Sequence, residues 1–142
     1  MNFTPIMQAT ITEIAEKHGL NLQFREAALK LEREPYMPLV IEKIGPHRLS
    51  VAHYYVENGD AIADPDMEFF TGDQQWLPYA ITQVIGGYQN AVEFNGDCTQ
   101  ILRYAPRLMR SLAEFGEMWA GNIKTQGWLD AKVVYVKNLS EE

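Results

Sequence analysis

The chain has 142 residues but a single cysteine, Cys98, so an intramolecular disulfide framework is impossible. It contains no run of eighteen apolar residues, so no membrane-spanning helix is expected. Its first residues, MNFTPIMQATITEIAEKHG, lack a basic segment followed by an apolar core and do not read as a secretory signal. With one cysteine and no export signal, the expected location is the cytoplasm. Internal repeats, low-complexity tracts and linker-like stretches are also missing, so residues 1–142 read as one domain. A hydrophobic content of 46% argues against intrinsic disorder.

The sharpest absence is local. Between Leu49 and Leu102 there is no lysine or arginine, while eight acids lie there: Glu57, Asp60, Asp64, Asp66, Glu68, Asp73, Glu93 and Asp97. Six acids and six bases cancel before this stretch, and six bases against five acids follow it, so the middle, at −8, holds the entire negative excess behind the net charge of −7. A protein that neutralises duplex phosphates needs many basic residues, so a broad cationic nucleic-acid surface is disfavoured. A concentrated acidic region fits a cation site, a surface for a basic partner, or a solvated sheet face.

What is present reads as α+β. Thr4-Pro5 marks a helix start, and Ile6, Met7, Ala9, Ile11, Ile14 and Ala15 form a stripe that Gly19 ends, predicting a helix over about 5–18. Strands are predicted at 29–34, 37–44, 48–57, 60–70, 76–84 and 88–94, with residues 21–28 ambiguous. A long helix is predicted from Ile101 to about Trp119, with Pro106 either kinking it or marking its true start. On that helix Arg103, Arg107 and Arg110 would share one edge. No element is assigned beyond it. The expected fold is an antiparallel meander of about four to five strands, with the two helices packed on one face.

Asn58-Gly59 is a strong two-residue hairpin signal, because both central positions of a type I′ turn need positive φ. Its register predicts Glu57 opposite Asp60, Tyr55 opposite Ile62, His53 opposite Asp64 and Val51 opposite Asp66. One face would then carry Ala52, Tyr54, Val56, Ala61, Ala63, Met67 and Phe69 toward the core. The other would carry His53, Tyr55, Glu57, Asp60, Asp64, Asp66 and Glu68 toward solvent. Pro65 cannot donate to a ladder, so a bulge or an edge position is expected there.

That polar face is the candidate site. Its charge suits a protein partner with a basic surface. His53, Asp64 and Asp66 also have the chemistry of a divalent-metal site, or of a base with its orienting carboxylate, as in a hydrolase. No H-E-x-x-H, cysteine pair or nucleophile elbow supports a metal or a catalytic centre, so neither metal nor cofactor is expected and a solvent-facing cross-strand pair is the plainer reading. A nucleic-acid contact through Arg103, Arg107 and Arg110 is the remaining alternative. Cys98 reads as an inert small residue, and His18 as a helix C-terminal residue.

The segments LEREPYMPLVIEKIG, HYYVENGDAIADPDMEF and WLPYAITQVIGGYQNAVEF resemble an uncharacterised domain family of bacterial mobile elements. The likeness rests on Glu32, Met37-Pro38-Leu39, Glu42, His53-Tyr54-Tyr55, Asn58-Gly59-Asp60, Asp64-Pro65, Phe69, Trp76 and Pro78, within about residues 29–94. That family occurs in plasmid, integrative-element and phage proteins, as small proteins or as modules of large polyvalent ones. The resemblance implies accessory work in element transfer or in evading host defence, and it carries no catalytic assignment. A DNA mimic is the obvious thought for an acidic protein in that setting, but 22% charged residues and −7 are modest for one.

Overall fold

The computed structural model describes residues 2–139. In chain order the elements are α1 (Pro5–Lys17), β1 (Glu26–Glu32), β2 (Leu39–Gly45), β3 (Arg48–Glu57), β4 (Asp60–Phe70), β5 (Leu77–Gln83), β6 (Gly87–Asn90), β7 (Val92–Phe94), β8 (Ile101–Tyr104), α2 (Pro106–Thr125), a 3-10 turn (Trp128–Asp130) and β9 (Lys132–Leu139). The architecture is α+β, with two helices and a large antiparallel sheet. Strands β6 to β1 lie side by side as a meander, and β9 returns to pair with β1. The sheet has seven strands, more than the four to five expected, because β6 and β9 extend its two edges. A separate hairpin, β7–β8, follows. No helix among the described residues is long and apolar enough to cross a membrane.

The β3–β4 hairpin forms as its turn chemistry requires: Asn58 and Gly59 adopt φ of 53° and 85°. Glu57 pairs with Asp60, Val56 with Ala61, Tyr55 with Ile62 and Tyr54 with Ala63. The register then slips, and Ala52 faces Asp66 and Val51 faces Met67. His53 is thus opposed by two residues, Asp64 and Pro65: the expected bulge, with a consequence for everything beyond it. The extra residue reverses the parity of β4, so Met67 and Phe69 share a side with Leu49 and Val51 instead of with Ala52.

That side is the one the helices cover. Leu29, Leu31, Leu39, Ile41, Leu49, Val51, Met67 and Phe69 are buried in one cluster with Met7, Ile11 and Ile14 of α1 and Met109, Leu112, Trp119 and Ile123 of α2. Each such side chain contributes about 1.5–3 kcal/mol relative to exposure. At Gly116 the helix lies so near the sheet that a Cβ would stand 3.2 Å from the Met67 side chain.

The helix starts are resolved by their prolines. Pro106 is the first residue of α2, and the extended Ala105 before it ends a strand, so residues 101–104 are β8 and not helix. At α1, Thr4 is the N-cap residue but its hydroxyl donates to the Trp76 carbonyl (3.0 Å). The cap comes from across the fold: both Glu117 carboxylate oxygens accept the Ile6 and Met7 N–H groups at 3.0 and 2.9 Å. Gly19, at φ 80°, ends α1 as expected, while the His18 ring donates to the Trp128 carbonyl (2.8 Å).

Candidate functional site

On the helix-free side of the sheet, pairing aligns small buried residues on four strands: Ala28, Val40, Ser50, Ala52 and Ala80. Above this floor stand Glu42 of β2, Tyr54 of β3, Asp66 and Glu68 of β4 and Tyr88 of β6. Ser50 lies between Glu42 and Glu68, and Ala52 beside Asp66. The bulge brings the two β4 acids to this side.

The electrostatics follow from that placement. Ser50 Oγ donates to Asp66 Oδ1 at 2.5 Å. Burial nevertheless pushes the Asp66 carboxyl up to about 6, with the charges of Glu68 and Glu42 adding to the rise and the serine bond opposing it. Tyr79 OH donates to Glu68 Oε1 at 2.8 Å, and its phenol is raised by burial and by Glu68. Burial, reinforced by the neighbouring carboxylates, also raises Tyr54 and Tyr88. Among the described residues neither Asp66 nor Glu68 has a cation within ion-pair distance. Arg48 closes one end of the face, its guanidinium carbon 6.0 Å from the centre of the Phe94 ring of the β7–β8 hairpin. Phe94 itself packs on Tyr79 and Phe70. At the far side, Lys137 of β9 pairs with Glu26 at 3.1 Å.

The polar face expected from an unbroken register does not exist as one surface. His53 is buried on the helix side, with its ring centre 5.5 Å from Trp119 and 5.8 Å from Trp128. Its Nδ1–H donates to the Pro38 carbonyl (3.2 Å), and burial pushes its pKa down. Asp64 sits in the bulge and accepts the Val84 N–H at 3.2 Å. Tyr55, Glu57 and Asp60 share the His53 side of the ladder toward the turn, with Glu57 and Asp60 exposed. Asp66 and Glu68 lie on the opposite side. His53, Asp64 and Asp66 therefore do not converge, and the metal or acid–base arrangement imagined for them has no geometric basis. No group of three or more His, Cys, Asp or Glu among the described residues is placed to hold a metal ion.

The arginine edge also dissolves. Arg103 belongs to β8 and is ion-paired with Glu93 at 2.6 Å, whereas Arg107 and Arg110 are exposed on α2. Cys98 lies in the β7–β8 turn with φ 60°, and not at the start of a helix.

Sequence reasoning missed Glu42, Ser50 and Tyr88 as members of the face and assigned Tyr54 to the core. The signal for Ser50 and Tyr54 was Pro65: counting one extra residue there turns β3 over relative to the expected faces and brings both beside the β4 acids.

An antiparallel sheet with helices on one side and a tyrosine-bordered carboxylate cluster on the other defines a two-layer α+β protein with an open sheet surface. Residues 9–129 match a family described as a domain of unknown function (DUF6908), and the chain belongs to that family. No curated protein and no solved structure matches it.

Proposed function

We propose that the chain is a small, non-enzymatic binding protein of a mobile genetic element. In this reading the helix-free sheet face, centred on Asp66 and Glu68, takes a lysine- or arginine-bearing segment of a protein partner. One observation carries it: Asp66 is half-buried, held by a neutral hydroxyl and flanked by further carboxylates, with no cation within ion-pair distance among the described residues. Desolvating a carboxylate without pairing it opposes folding, and a partner's cation would relieve that cost. Tyr54 and Tyr88 border the same cluster and offer ring faces for the stem of the incoming side chain. The acids repel phosphate, which weighs against nucleic acid as the partner. The mobile-element setting rests on the family resemblance, and the neighbouring genes of family members test it.

The binding reading is tested with the immobilised chain and a lysate of its host. A genuine partner is retained at low salt, released as ionic strength rises, and lost with Asp66→Asn/Glu68→Gln while circular dichroism shows the fold intact. Retention that is indifferent to salt and to the double substitution would contradict the proposal.

A further inference from the structure

A second feature lies on the opposite side of the sheet, away from the acidic face. Alternation along β2 directs Leu39, Ile41 and Lys43 to the helix-covered side, so a lysine occupies a position in the buried stripe. Lys43 pairs with Leu49 and opens into a cleft of about 630 Å³ between α1, the segment 19–23 and the ends of β2, β3 and β4. Leu20, Leu49 and Trp76 supply buried apolar surface, while Gln8, Thr12, Gln23 and Gln74 add polar groups. Such a volume and mixture suit a small organic molecule.

The lysine meets no counter-charge among the described residues. Its ammonium donates to the Leu22 carbonyl at 3.3 Å, and among the described residues no carboxylate lies within ion-pair distance. Burial lowers its pKa, so holding the charge there is costly, and an anion beside it would offset that cost. Two non-glycine residues on the walls, His47 and Gln74, hold φ of 56° and 65°, a conformation that binding sites often retain. Glu16 also lines the cleft, and a second negative charge on the ligand would meet it.

We propose that this cleft binds a small organic acid bearing one carboxylate, which Lys43 receives, and an apolar body that rests on Leu20, Leu49 and Trp76. The test uses 3-phenylpropionate and octanoate as probes, with the corresponding primary amides as neutral controls, followed by amide chemical shifts of the labelled full chain. At least one acid is expected to shift Leu22, Gln23, Lys43 and Leu49 saturably and to bind about tenfold more tightly than its amide. Lys43→Met, which keeps the aliphatic stem, should reduce the acid to the affinity of the amide while the melting transition remains cooperative. Lys43→Arg should restore most of the preference if the first variant fails to fold. No saturable shift up to about 10 mM of either acid, equal affinity for acid and amide, or shifts mapping to the sheet face around Asp66 would overturn the proposal.

Discussion

At the scale of single residues, the two sides of the sheet hold titratable groups of opposite behaviour. Asp66, pushed up to about 6, binds its proton more tightly folded than unfolded. Its contribution favours the fold at low pH and fades as pH rises from about 4 through about 6. His53 is the reverse: burial holds it below 6.5, so the unfolded chain protonates first and stability falls as pH drops below about 6.5. The two trends oppose one another in the native protein, and substitutions separate them. Asp66→Asn should raise stability at pH 8 by on the order of 1–2 kcal/mol and change little near pH 4. His53→Gln, which keeps a donor for the Pro38 carbonyl, should flatten the acidic limb. Urea melts across pH 4–8 check both, and an Asp66→Asn variant with the native pH profile would remove the electrostatic argument for the site.

At the scale of elements, one residue decides which side chains meet. The Asn58-Gly59 turn, the extents of β3 and β4 and a bulge at Pro65 were all legible in the sequence, because turn chemistry and the missing proline N–H act locally. The faces were not, because a side-chain period of two is inverted by a single extra residue. Deleting residue 64 should therefore force Met67 and Phe69, both fully buried, out of the core and abolish cooperative unfolding. Asp64→Ala keeps the residue count and loses one hydrogen bond to Val84, at a cost of about 1 kcal/mol. A deletion variant that melts like the parent would show that register does not depend on the bulge. The strand β9 shows another limit. Val133, Val134, Tyr135 and Val136 are a β-prone run, but an edge strand exposed on both sides carries no alternation to reveal it. The helix start at Pro106 was one of two readings the sequence left open, and the pairing of β8 with β7 decides between them.

At the scale of the whole molecule, the uneven charge has a spatial meaning different from its linear one. The base-free stretch from Leu49 to Leu102 runs from β3 into β8, and its acids divide between the Glu57/Asp60 hairpin end, the Asp64 bulge, the Asp66/Glu68 face, Glu93 of β7 and the loops. The expected single surface of seven residues becomes a smaller cluster of Glu42, Asp66 and Glu68 with Tyr54 and Tyr88, bounded by Arg48 and by the lysines of β1 and β9. The Lys43 cleft occupies the helix-covered side of the same sheet, so the two proposed sites can be lost independently. The most direct measurement is residue-level footprinting of the chain, free and with its captured partner, using tyrosine nitration and carbodiimide labelling of carboxylates. The account predicts protection of Tyr54, Tyr88, Asp66 and Glu68, with Tyr36, Tyr104 and Glu13 labelled equally in both states. Protection confined to the Glu57–Asp60 turn or to α2, with Asp66 and Tyr88 unchanged, would contradict it.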